Sequence, residues 1–96
     1  MTRLNSVLHQ ELRLSIMSYL VQVERVEFKK LLEVSEATKG NLSVQVSKLS
    51  EAGFLKVYKS FKGNYPHTEY EITNAGRKAF EIYLVELKKL LNSDNF

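Results

Sequence analysis

The stretch Thr38–Leu55, TKGNLSVQVSKLSEAGFL, constrains the fold of this 96-residue chain more than any other. Leu42, Val46 and Leu49 recur at i, i+4 and i+7, so they share one side of a 3.6-residue helix. Thr38 stands where an N-cap belongs, and Gly53 stands where the helix must stop. The opposite side carries Lys39, Asn41, Ser43, Val44, Ser47 and Lys48, with no acid before Glu51. A helix with its core side fixed, and an outer face of small, amide, hydroxyl and ammonium groups, suits a polyanion.

The flanking segments extend that unit. Residues 4–21 are predicted as a first helix, with Leu8, Leu12, Ile16 and Leu20 at i+4 spacing as its buried stripe. Leu14 and Met17 fall off that stripe and require a second cover, from another element or another subunit. Val23 to Glu27 alternates β-branched and charged residues, which fits a residue or two of edge strand. Phe28, Leu31 and Leu32 mark a short second helix over 27–34, and Ser35-Glu36-Ala37-Thr38 supplies a turn into the third, over 38–52. Two helices joined by a tight turn, the second with a polar outer face, form the helix-turn-helix pattern.

LKVYKSF and TEYEI then alternate apolar and polar residues as strands do, and Lys62-Gly63-Asn64-Tyr65-Pro66-His67 between them has the chemistry of a hairpin loop. The hairpin over 55–72 is a wing. A last helix over 73–91 is capped by Thr73 and carries Phe80, Tyr83, Leu84, Leu87, Leu90 and Leu91 as a stripe that Ile82 and Val85 widen. Its expected length of roughly 28 Å exceeds what the core of so small a domain requires. The predicted fold class is α+β, mainly α: a winged helix-turn-helix of order α-α-α-β-β-α in one domain spanning 1–96, with the long last helix serving dimerisation.

Charge distribution agrees with the outer face of the third helix. From Thr38 to His67 five lysines (Lys39, Lys48, Lys56, Lys59, Lys62) face one acid, so this part carries +4 of a net charge of +3. With no cysteine there is neither a disulfide framework nor a thiolate metal site. His9 and His67 lack partners at metal or triad spacing, and no Gly-rich phosphate loop is present, so no enzyme and no cofactor are expected. Short apolar runs and an N-terminus without an apolar signal core lead to the expectation of a cytoplasmic protein with no membrane partner.

Three stretches resemble the small winged-helix transcription regulators related to the MarR and ArsR groups. TKGNLSVQVSKLSEAGFL is similar to that family's recognition helix and turn into the wing, YEITNAGRKAF to the end of the wing and start of the last helix, and HQELRLSIMSYL to its first helix. The resemblance covers about Leu8 to Leu91. It implies a homodimer on a pseudo-palindromic duplex, with recognition helices in successive major grooves and wings on flanking backbone or minor groove. The cysteine and histidine sets of metal-sensing members are absent, and the extra helices that frame ligand pockets in larger members are largely missing. A small-molecule effector is therefore left unassigned.

Placed on this fold, Lys39, Lys48, Lys59 and Lys62 are expected at phosphates, with Thr38, Ser43 and Ser47 allowing close approach. Asn41 and Gln45 are the candidate base readers, since an amide pairs bidentately with adenine; the alternative for Gln45 is packing along the helix flank. Val44, exposed opposite the buried stripe, suits a thymine methyl. At the wing, Asn64, Tyr65 and His67 are expected to meet backbone or minor groove, unless Tyr65 folds back on the hairpin. The candidate dimer interface comprises Leu4, Val7, Leu14 and Met17 with Phe80, Tyr83, Leu84, Leu87, Leu90 and Leu91. The alternative function is a protein-interaction module that uses the last helix to bind a different chain.

Overall fold

The computed structural model describes residues 4–92 and contains α1 (Glu11–Leu20), β1 (Val26–Glu27), α2 (Phe28–Ser35), α3 (Lys39–Glu51), β2 (Leu55–Lys62), β3 (Tyr65–Ile72) and α4 (Asn74–Leu91). This is the expected winged helix-turn-helix order, with the edge strand at Val26–Glu27 pairing on β3 to give an antiparallel sheet of order β1-β3-β2. The first three helices and the base of the sheet share one core: Ile16, Met17 and Leu20 from α1, Leu31 from α2, Leu42, Val46 and Leu49 from α3, and Leu55, Tyr70 and Ile72 from the sheet. Truncating any of its fully buried leucines costs about 2–5 kcal/mol in comparable cores.

The first helix begins at Glu11 rather than at residue 4. Gln10 causes the difference: its extended backbone, φ −151 and ψ 132, separates the helix from a short turn at residues 6–8, where the Asn5 side-chain oxygen accepts from the backbone N–H of Val7 at 2.9 Å and of Leu8 at 3.3 Å. Gln10 then caps α1 by accepting from Arg13 N at 2.7 Å. The turn still contributes to the core, since Leu8 is fully buried. Met17, expected at an interface, is fully buried within its own subunit.

Glu36, at φ 55, ends α2 in the left-handed region and turns the chain into α3, whose first turn Thr38 caps by accepting from Asn41 N at 3.2 Å. Gly53, at φ 83, follows the last turn of α3 and releases the chain into β2.

The wing spans the expected residues 55–72, but its strands are longer than the sequence pattern implied. Strands run through Lys62 and from Tyr65, which leaves a two-residue loop, Gly63-Asn64, with Gly63 at φ 64 as a type II′ turn requires. Pro66 therefore lies in a strand rather than a loop. It fits because β1 covers only Glu69 and Tyr70 of β3, so at Pro66 that side of the strand is an open edge where no N–H is needed.

Thr73 locks α4 to the end of α3. Its hydroxyl donates to Gly53 O at 2.6 Å and accepts from Gly76 N at 2.9 Å, while its backbone N–H donates to Phe54 O at 3.0 Å. Farther along, Phe80 and Tyr83 enter the core, and the Tyr83 hydroxyl meets His9 Nδ1 at 2.9 Å. The hairpin and the distal part of α4 reach past this core. The molecule measures 57 × 25 × 21 Å, with a radius of gyration of 14.8 Å, where a compact 96-residue domain has about 12.5 Å.

Candidate nucleic-acid interface

Burying Leu42, Val46 and Leu49 turns the opposite side of α3 outward. Thr38, Lys39, Gly40, Asn41, Ser43, Val44, Ser47 and Lys48 are all exposed. Val44 stands out in that polar strip, half exposed with no apolar neighbour in the strip. The positive end of the helix dipole and the free N–H groups of the first turn add to the charge of Lys39.

The pleat of the wing sorts its side chains into two sets, because cross-strand partners share a face. One set contains Leu55 with Ile72, Val57 with Tyr70, Lys59 with Thr68 and Phe61 with Pro66. Its basal members are core residues, so Lys59 and Phe61 continue the surface that faces α3. The other set contains Lys56 with Glu71, Tyr58 with Glu69, Ser60 with His67 and Lys62 with Tyr65, and it forms the outer face. At the base of that face the charges are matched: Arg25 lies 3.5 Å over the Tyr58 ring and 3.7 Å from Glu69, and Tyr58 donates to Glu71 at 2.5 Å, whereas Lys62 near the tip faces Tyr65. Lys59, by contrast, has a threonine opposite it.

An open cleft of about 420 Å³ separates α3 from the wing, lined by Ser43, Ser47, Ser50 and Glu51 on one wall and Val57, Lys59 and Tyr70 on the other. The serines keep the helix wall low, so a bulky backbone can approach closely. Burial raises the Tyr70 hydroxyl pKa above its ordinary value of 10.0.

Two expected contact residues point elsewhere. Gln45 is buried rather than outward, accepting from Arg13 Nη1 at 2.6 Å and donating to Asn41 Oδ1 at 3.0 Å, so its amide is used inside the protein and not free to read a base. His67 lies on the outer face of the wing, its nitrogens 3.7 Å from Glu27 and 3.6 Å from Glu69, which draws it toward β1. Tyr65 and Asn64 are exposed at the tip with Lys62, so Tyr65 does not fold back on the hairpin. Phe61, 73% exposed on the side facing α3, was not among the expected contacts, although its alternation with Val57 and Lys59 was available as a signal.

The expected interface residues divide likewise. Phe80 and Tyr83 join Met17 in the core, and Tyr83 meets the N-terminal turn through His9. Leu4, Val7 and Leu14 are half-buried against that core. Leu84 and Leu91 remain exposed and Leu87 and Leu90 half-buried, while Ile82 and Val85, each 52% exposed, form a second apolar strip across the helix.

Among the described residues no group of His, Cys, Asp and Glu side chains could hold a metal ion, and no helix is long and apolar enough to cross a membrane.

Comparison with known proteins adds three findings. Residues 12–91 match the family model described as a winged helix DNA-binding domain. An uncharacterized protein of Methanocaldococcus jannaschii is 36% identical over 84 residues, 88% of this chain and 91% of that protein. The solved structure of a transcriptional regulator homologue from Pyrococcus horikoshii superposes with a TM-score of 0.83 at 30% identity, covering 90% of this chain and 85% of that one.

Proposed function

Because the chain belongs to the winged helix DNA-binding domain family, we propose that it is a sequence-specific transcriptional regulator that binds double-stranded DNA as a homodimer. The observation that carries this reading is the exposed polar face of α3, bordered by Lys39 and Lys48 and continued across the cleft by Lys59 of the wing. α3 enters the major groove with Asn41 and Val44 toward base edges, and Thr38, Ser43 and Ser47 admit the backbone. Lys59, Lys62, Asn64 and Tyr65 follow the flanking backbone or minor groove. The protein acts by occupying DNA, not by catalysis.

The twofold uses the exposed leucines of α4, Leu84 and Leu91, with Leu87 and Leu90 beside them. An isologous interface is the commonest arrangement, and it adds the buried area that a domain of this size lacks. The separate strip of Ile82 and Val85 favours a second reading, in which α4 docks on a different protein chain.

Selection of bound duplexes from a random pool tests the proposal. The expected result is an inverted repeat with half-sites about one helical turn, 10–10.5 base pairs, or a multiple of it apart. Duplex binding with no enriched sequence contradicts specificity, and a single enriched half-site contradicts the homodimer.

A further inference from the structure

We propose that Arg13 and Gln45 set the base preference of α3 by fixing which end of the Asn41 amide faces outward; the inference rests on the duplex-binding reading above. The two ends of an amide are alike in shape, so their order must be imposed by a partner with only one hydrogen-bonding sense. Arg13 is such a partner, because a guanidinium donates and never accepts. Its Nη1 lies 2.6 Å from Gln45 and must meet the oxygen, Oε1. Gln45 Nε2 is then the end turned toward Asn41, 3.0 Å away, and the atom it meets there must be an acceptor, Oδ1. The donor sense passes from Arg13 through Gln45 to Asn41, and the remaining end of Asn41, the Nδ2 amide, is a donor.

The chain of contacts is well anchored at its inner end. Arg13 Nε donates to the Val7 carbonyl at 2.5 Å, and its backbone N–H is held by Gln10 Oε1 at 2.7 Å. Gln45 is 8% exposed and has no room to exchange its two ends without setting its amide nitrogen against a guanidinium. Asn41 is exposed, and its backbone N–H is fixed by Thr38. Neither Arg13 nor Gln45 reaches DNA. Both are positioning residues, and the group they position is the reader.

A consequence for recognition follows. Bidentate pairing with adenine needs both the oxygen and the nitrogen of Asn41 turned to the base, but its oxygen is turned inward to Gln45. What faces outward is a donor. It suits a base whose major-groove edge accepts: guanine through O6 or N7, thymine through O4, or adenine through N7. It rejects cytosine, whose hydrogen-bonding group there is the N4 donor.

The sense of the relay can be reversed by a nearly isosteric change. In Gln45→Glu both side-chain oxygens accept, so one pairs with Arg13 and the other requires a donor from Asn41. Asn41 turns over, and Oδ1 becomes its outward end. A second variant, Asn41→Asp, makes the outward end an acceptor without altering the buried pair. It lies on the exposed first turn of α3, where a carboxylate is compatible with the helix dipole and folding is preserved.

The experiment is selection from a random-sequence duplex pool with wild type, Gln45→Glu and Asn41→Asp, followed by affinity measurement on single-base variants of the enriched site. The expected wild-type result is one half-site position from which cytosine is excluded, and both variants should shift that position alone toward cytosine, by roughly tenfold in relative affinity. Asn41→Asp should also bind every duplex somewhat more weakly, because of its charge. If wild type and Asn41→Asp, or wild type and a folded Gln45→Glu, enrich the same base at every position, the relay is wrong while duplex binding stands. Wild-type binding without any enriched sequence overturns the relay likewise. No duplex binding at low salt overturns both the relay and the function on which it rests.

Discussion

Gly76, in the first turn of α4, lies directly against the Phe54 carbonyl, so a Cβ at this position would overlap the Phe54 oxygen. The contact joins the start of α4 to the turn between α3 and the wing, the same turn that Thr73 grips through Gly53 O and Phe54 O. The three elements expected at DNA and at the dimer axis are thus set relative to one another at a single junction. Gly76→Ala is expected to destabilise the fold by about 1–3 kcal/mol, because the obstructing atom is backbone and cannot swing aside. Urea denaturation of the two proteins checks this.

The two faces of the wing make a prediction about lysines that the sequence alone treats as equivalent. Lys59 is on the α3-facing side, and Lys56 is on the outer face opposite Glu71. Lys59→Ala is expected to lower the slope of log affinity against log salt by about one, on all sequences alike, whereas Lys56→Ala leaves it unchanged. Fluorescence anisotropy across a salt series measures both.

Much of this interface is legible in the sequence, and what is not has a local physical cause. The stripe of Leu42, Val46 and Leu49 announces α3 because burial on a helix repeats with the turn, and Thr38 and Gly53 mark its ends through side-chain and backbone chemistry confined to a few residues. The direction of Gln45 is different in kind. It depends on Arg13, 32 positions away, which no periodicity within α3 reveals. Phe80 and Tyr83 read correctly as an apolar stripe, but its spacing does not say whether it meets its own subunit or another, and Tyr83 meets an N-terminal turn that the i+4 spacing of Leu8 and Leu12 disguised as helix. Pro66 reads as a loop residue until the short reach of β1 is known.

Tyr70 gives the fold a dependence on alkaline pH. Burial holds its hydroxyl above the ordinary pKa of 10.0, so the folded protein keeps a proton that the unfolded chain releases. The associated stability is fully present below about pH 10 and is lost as pH rises through the higher folded value. Denaturation midpoints at pH 9 and pH 11 should fall more steeply for the wild type than for Tyr70→Phe.

The exposed leucines of α4 can be tested without disturbing the core. Leu84 is 46% and Leu91 63% exposed, so a charge at either position is tolerated by the monomer. Leu84→Glu with Leu91→Glu is expected to give a folded monomer, and the wild type a dimer, with duplex affinity of the variant reduced through loss of the second half-site. Mass measurement in solution and circular dichroism separate dissociation from unfolding.

Binding of the wild-type protein to duplex DNA as a function of salt reads out whether α3 and the wing meet phosphates. With Lys39, Lys48, Lys59 and Lys62 placed on or beside the α3 and wing surfaces, each phosphate neutralised contributes about −0.9 to the slope of log affinity against log salt. Clear affinity at low salt and a slope of about −3 or steeper per protomer are expected. Absence of affinity at low salt, or affinity that does not change with salt, would rule out a DNA-binding role for these surfaces.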